Sequence, residues 1–277
     1  MEYNDLISGI KRFGAATNED LCLRVLGTAA KKIQEHVVIT PGWGPEKVPG
    51  LGKAELISSS GTLFSSFKVW NIKNDDIEIT YINTGFGAPV LMDALLSLGM
   101  SNCKNIIFIS SVCALDSKIG IGDLVIPEYS ICGDGASRYI AYDQLGSDVF
   151  GEKAYPDMPL LKQLKMETEN ICKGNHVKWH MGKTFCTDTI FAQFAHMDQI
   201  IGMGCNTVDM ETAVAFRAAK LMKKPLAALF SVSDNTTANK SLMSERPQDE
   251  IDYRKFVRGE LLPKIILNLI KAGRRTS

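Results

Sequence analysis

Apolar positions recur along this chain in two periods, and the alternation between them outlines the fold. Over residues 1–35 the spacing is helical, carried by Leu21, Val25, Leu26 and Ile33. The β-branched run His36–Thr40 then predicts a short buried strand. Ile77–Asn83 alternates as a strand does, and a glycine-bearing turn leads into a helix through Val90, Leu91, Ala94, Leu95 and Leu98, closed by Gly99. Pro89 falls in that helix's first turn, where a missing N–H is tolerated. Residues 105–115 form a continuous apolar strand with Ser110 and Ser111 toward its end, and residues 119–127 read as a turn and another strand. Residues 132–139 and 143–158 are polar and predict a loop and a surface excursion. A helix is expected over 160–172, a strand entering a loop over 182–191, and a buried strand over 225–235 that delivers Asp234 at its end. The last helix, 253–272, carries Phe256, Val257, Leu261, Leu262, Ile265, Ile266, Leu269 and Ile270 on one side, with Pro263 set to kink it or mark its start. Strand, glycine turn and helix in succession predict crossover units of a largely parallel sheet. No composition shift, repeat or low-complexity stretch divides the chain, so the expectation is one α/β domain over 1–277.

Composition narrows the function classes. The chain has 277 residues, is 45% hydrophobic and 22% charged, and has a formal net charge of zero. That balance gives no reason to expect nucleic acid or an anionic membrane as a partner. No apolar run reaches membrane-spanning length. The start lacks a basic segment followed by an apolar one, so no secretory signal is read and a cytoplasmic protein is expected. Seven cysteines occur without CxxC pairs or nearby histidines. Cys103, Cys113 and Cys186 sit in apolar runs, which favours reduced core thiols over disulfides or a metal site. Neither metal nor cofactor is expected.

The stretch richest in chemistry is Thr207-Val208-Asp209-Met210-Glu211-Thr212, after the turn-rich Gly202-Met203-Gly204-Cys205-Asn206. An acidic pair here can simply open a helix, favoured by the macrodipole and the free N–H groups. Alternatively, Glu211 points into a cleft, where an ionised carboxylate accepts hydrogen bonds from two neighbouring sugar hydroxyls. Pro41-Gly42-Trp43-Gly44-Pro45-Glu46 follows the first strand, and its glycines allow backbone to approach a ligand. Thr84-Gly85-Phe86-Gly87-Ala88-Pro89 is not the GxGxxG of a dinucleotide site. Ser111, toward a strand's carboxyl end, is well placed for a ligand, and no GxSxG elbow surrounds it. Asp234, at another strand end, is a helix cap or a catalytic acid.

Five motifs, Thr84-Gly85-Phe86-Gly87-Ala88-Pro89, Ile121-Gly122-Asp123-Leu124-Val125-Ile126, Asp134-Gly135-Ala136-Ser137, Val208-Asp209-Met210-Glu211 and Ser231-Val232-Ser233-Asp234, stand in an order that resembles the nucleoside phosphorylase superfamily. This superfamily holds purine nucleoside and uridine phosphorylases and the methylthioadenosine/adenosylhomocysteine nucleosidases, and the resemblance runs over roughly residues 36–270. It implies one α/β domain with a central mixed sheet flanked by helices. It also implies a homodimer or a hexamer built as a trimer of dimers, and cleavage of a nucleoside's N-glycosidic bond. On the matched positions, Glu211 would hold the ribose 2′ and 3′ hydroxyls, with Met210 beneath the sugar and Ser111 beside it. Asp234 would be the general acid at purine N7, and its presence favours purines. Val208, Ile190 and Phe191 would line the base pocket; Ile190 stands where relatives usually carry an aromatic residue.

The anion site departs from the pattern. Phosphorylases hold phosphate with Gly-Asp-Pro-x-Arg, a strand arginine and an arginine lent by a neighbour. Here the loop reads Gly42-Trp43-Gly44-Pro45-Glu46, the strand position is Phe108, and the region near Thr62 has no arginine. Gly42 and Ser111 remain uncharged, and Lys47 would compensate in part. The resemblance to the nucleosidases gives Glu46 the part of a water-activating base, although a loop glutamate can equally be mere surface. The expectation is therefore a purine-type nucleoside hydrolase with catalytic Asp234 and Glu46. The alternatives are a phosphorylase with a rebuilt anion site, using phosphate as co-substrate with Lys47 and Arg138, and a non-catalytic nucleoside-binding relative.

Overall fold

The computed structural model describes residues 1–14, 17–59 and 67–275; the neighbourhood of Thr62 lies outside them. Helices α1 (Tyr3–Gly14) and α2 (Asn18–Leu26) precede β1 (His36–Thr40). Two 3-10 turns, Pro45–Lys47 and Pro49–Leu51, lead to β2 (Lys53–Ser58), β3 (Lys68–Asn74), β4 (Ile77–Asn83) and α3 (Ala88–Ser97). Next come β5 (Asn105–Ala114), β6 (Leu124–Cys132), α4 (Arg138–Ala141), β7 (Lys153–Ala154) and α5 (Met158–Asn175). The chain continues through β8 (Trp179–Cys186), α6 (Ile190–Gln193), α7 (Met197–Gly202), β9 (Thr207–Asp209), α8 (Thr212–Met222) and β10 (Leu226–Asn235). It ends in α9 (Gln248–Phe256), a π-turn Val257–Leu261 and α10 (Leu262–Arg275).

The strands form one mixed sheet in the order β10-β6-β8-β9-β5-β1-β4-β3-β2, and β10 also pairs with β5. That extra pairing closes β10, β6, β8, β9 and β5 into a ring, from which β1, β4, β3 and β2 extend as an open sheet. β1 is parallel to both β4 and β5, as the crossover pattern predicts. Apolar side chains pack on both faces: α3 and α8 cover one, with Leu91, Leu95, Ala215 and Phe216, while α5 and α10 cover the other, with Leu161, Leu164, Ile265 and Leu269. All seven cysteines are buried and free. Among the described residues no helix is long and apolar enough to cross a membrane.

Three sequence expectations are corrected. Residues 207–209 are a strand, not the opening of a helix; pairing with β5 and β8 captures them, and α8 starts only at Thr212. β2 and β3 form an antiparallel extension, and β2, exposed at nearly every position, lacks the half-buried alternation by which a strand is recognised. The final helical run starts earlier than expected, at Gln248, and Pro263 lies just past a π-turn within it rather than at its start. The Leu262 N–H donates to the Val257 carbonyl, an i→i+5 bond, immediately before Pro263. The wider turn absorbs the proline's missing donor inside the helix.

That wide turn is held by backbone contact. A Cβ on Gly50 would lie 2.9 Å from the Gly259 carbonyl oxygen and 3.0 Å from Pro263 Cβ. We expect Gly50→Ala to lower unfolding free energy by about 1–3 kcal/mol in denaturant titrations, as overpacking does. Gly9→Ala on α1, with nothing within 4 Å of the new methyl, should be neutral or stabilising by up to about 1 kcal/mol. Equal losses from both would contradict this packing.

Candidate active site

The site gathers at the carboxyl ends of β1, β4, β5 and β10. Parallel β5 and β10 run in register with Ser231 opposite Ser111 and Val232 opposite Val112, then shift so that Asp234 stands opposite Cys113. Ser233 is the extra residue. Side chains alternate faces along a strand, so without the bulge Asp234 would fall on the other side. With it, Asp234 shares a face with Ser111 and Cys113. Asp234 is 2% exposed, and the Ser233 hydroxyl donates to its Oδ1 at 2.5 Å. The Cys113 thiol, 3.1 Å from the Thr236 hydroxyl, also contacts this carboxyl. Asn235, next in the strand, takes the capping role, accepting from Ala238 N and donating to the Asp116 and Ile119 carbonyls.

Glu211 and Asp209 divide the two readings of the acidic pair between them. Asp209 accepts from the Thr212 N–H at 3.0 Å and from its hydroxyl, so it caps α8. Glu211 instead reaches across to the turn after β4, where its Oε1 accepts the Gly87 N–H at 2.7 Å. Both carboxyls are buried. Burial pushes Glu211 up to about 7, against the stabilising Gly87 and Met210 N–H groups. Burial, with Glu211 next, holds Asp209 well above the ordinary carboxylate range. Met210 between them is half-buried.

The remaining predicted residues vary in position. Ser111 is half-buried in the last part of β5. Gly42 follows β1, with the Phe86 ring over it: a Cβ there would meet Phe86 Cζ at 2.3 Å. Glu46 is exposed on the next turn, folded back so that its Oε2 would lie 2.1 Å from a Gly44 Cβ. Lys47 is exposed as well. Phe108 is fully buried against Phe230, their ring centroids 5.1 Å apart, so no charge belongs at that strand position. Val208 pairs with Cys113 across β9 and β5, and so shares its face of the sheet, buried with Phe185 and Ile200. Ile190 opens the short α6, capped by Thr189, and Phe191 beside it is 77% exposed. Arg138 is exposed, 3.9 Å from Asp148, and lines a cavity with Gly87 and Asp188.

Three basic residues escaped the sequence reading. Arg254 on α9 extends Nη2 to within 3.3 Å of Ser111 Oγ. Arg258, one turn on, lies over the Trp43 ring at 5.5 Å and within electrostatic reach of Glu46 and Tyr81. Arg246 donates from Nη2 to the Ser241 carbonyl at 3.2 Å, and its charge is felt at Arg254. The signal was present: Arg254 and Arg258 are four apart, hence on one helix face.

With this geometry in view, comparison with known proteins decides the family. The family model described as phosphorylase superfamily matches residues 36–257. The chain belongs to the phosphorylase superfamily. A DeoD-type purine nucleoside phosphorylase of Mycoplasma genitalium is 25% identical over 252 residues, covering 86% of this chain and 98% of that one. A uridine phosphorylase structure from Vibrio fischeri superposes with a TM-score of 0.71 at 21% identity, covering 89% of this chain and 95% of that one. An AMP nucleosidase structure from Bacteroides thetaiotaomicron gives 0.68 at 16% identity, covering 94% and 98%. The single α/β fold with a mixed sheet expected from the motifs is shared with these structures. Members of the superfamily are nucleoside phosphorylases and nucleosidases that cleave the glycosidic bond, and this chain is an enzyme of that kind.

The raised Glu211 has a measurable consequence. From pH 4.5 to about 7 the folded chain holds a proton at Glu211 that the unfolded chain has released. Its contribution to stability is therefore complete below pH 4.5 and declines until about 7. Glu211→Gln should flatten the fall of unfolding free energy across that window in pH-dependent denaturant titrations. A slope unchanged from wild type would contradict the assignment.

Proposed function

We propose that the enzyme cleaves the N-glycosidic bond of a purine nucleoside, with Asp234 as the acid at the base and Glu211 as the grip on the ribose. The bulge that turns Asp234 onto the face of Ser111 and Cys113 carries this reading. A departing purine needs a hydrogen-bond donor at N7 as electrons move onto the ring, and a carboxyl fixed by Ser233 can supply it. Ionised Glu211 is acceptor-only, with room for the two ribose hydroxyls beside the Gly87 N–H. Met210 packs beneath the sugar, and the exposed ring of Phe191, with Ile190, supplies the apolar side of the base site.

The expectation of hydrolysis with Glu46 as base rested on an anion pocket without arginine. Arg254 beside Ser111 supports an anion as the nucleophile over water activated by Glu46, with hydrolysis as the alternative reading.

Inosine, adenosine, methylthioadenosine and uridine, assayed for base release, test the proposal. Purine nucleosides should be cleaved in preference to uridine. Asp234→Asn should lower kcat by about 10²–10⁴-fold while nucleoside binding persists. Tight nucleoside binding with no base released, and no effect of Asp234→Asn, would identify a binding protein instead.

A further inference from the structure

The motif Ile121-Gly122-Asp123-Leu124-Val125-Ile126 carries no group that the nucleoside-cleaving reading uses. Its first residues nevertheless lie against the bulge that presents Asp234. Before the bulge, the Gly122 N–H donates to the Val232 carbonyl and the Val232 N–H donates to the Asp123 carbonyl, both at 2.9 Å. After it, Asn235 Nδ2 donates to the Asp116 and Ile119 carbonyls, both at 2.8 Å. The turn over residues 116–123 therefore grips β10 at Val232 and again at Asn235, and only Ser233 and Asp234 lie between the two grips.

One carboxyl holds that turn in shape. Asp123 is buried, and its Oδ2 accepts the Gly120 N–H at 2.8 Å. The same oxygen lies 2.8 Å from Nε2 of His180 on β8. A carboxylate only accepts, so His180 is the donor, and hydrogen bonds to an ionised group are among the strong ones. Gly122 stands at a φ of 88°, and a Cβ there would lie 2.5 Å from Tyr253 Cδ1. The turn thus also seats α9, whose next residue, Arg254, reaches Ser111.

We propose that Asp123, held by His180, is a positioning residue for Asp234. It fixes the turn that brackets the bulge, and so sets where the acid stands against the departing base. This inference rests on the nucleoside-cleaving reading above and adds what orients its acid. A nucleoside methylated at N7 already carries the positive charge that protonation supplies, so its base departs without an acid. Misplacing Asp234 therefore slows the ordinary nucleoside and spares the methylated one, whereas a general loosening of the fold slows both.

The test measures kcat and KM for the preferred purine nucleoside and its N7-methyl derivative in wild type, Asp123→Ala, Asp123→Asn and His180→Gln, together with amide hydrogen exchange over residues 230–235. Asp123→Ala should lower kcat on the ordinary nucleoside by about 10–100-fold, the scale of a small misplacement at the reacting atoms. KM for that nucleoside, and kcat on the methylated one, should change little. Exchange over residues 230–235 should rise while that of β1 stays as in wild type. Asp123→Asn keeps an oxygen that can accept both hydrogen bonds, so it should recover part of the loss, and it also serves if the alanine variant folds poorly. His180→Gln should cost less than Asp123→Ala. Equal losses on the two nucleosides, or unchanged kcat and exchange in Asp123→Ala, would overturn the inference while leaving nucleoside cleavage standing. If wild type releases base from no nucleoside, the cleavage reading fails, and exchange across the bulge in Asp123→Ala alone upholds or overturns the positioning of Asp234.

Discussion

One extra residue in a strand governs the site. β10 and β5 run side by side for most of their length, and the pairing closes the ring of five strands. Ser233 then interrupts the register between Val232 and Asp234. A one-residue shift exchanges the two faces of a strand. Here it brings a buried carboxyl to the face of β5 that carries Ser111 and to which Arg254 reaches. The ring makes the shift tolerable, because β10 is held on its other edge by β6 through Phe230 and Ser231.

Around that point the molecule maintains two local concentrations of like charge. Asp209 and Glu211 are buried together, and the Gly87 and Met210 N–H groups only partly offset the cost at Glu211. Arg254, Arg258 and Arg246 crowd together at the C-terminal helix, each with a buried nitrogen that has no hydrogen-bond partner among the described residues. Either cluster alone would be an odd choice for stability, since an unsatisfied buried polar group costs about 1–3 kcal/mol. Together they suit a substrate with neutral hydroxyls for the acids and an anion for the cations. The π-turn before Pro263, braced by Gly50 against Gly259, sets the helix face that carries Arg254 and Arg258.

The sequence made much of this legible. Strand and helix order and the buried strand that carries Asp234 near its end follow from residues whose local pattern matches their environment. What escaped did so for physical reasons. Residues 207–209 are too few to declare themselves a strand, and only pairing with β5 and β8 makes them one. β2 lies exposed at the sheet edge and shows no alternation of burial. The arginines escape because the apolar stripe dominates the pattern of the final helix, and because the cations of the resembling family fall on the positions of Glu46 and Phe108. A charge can be replaced from any element that reaches the same point in space. Linear order does not reveal that Arg254 lies 3.3 Å from Ser111, 143 positions away.

The origin of the oxygen that arrives at C1′ tests this account most directly. With the preferred purine nucleoside, phosphate and ¹⁸O-labelled water, the sugar product should carry no label at C1, because the nucleophile proposed at Ser111 and Arg254 is an anion, here phosphate. Label from water at C1 would contradict the account and return Glu46 to the role of base.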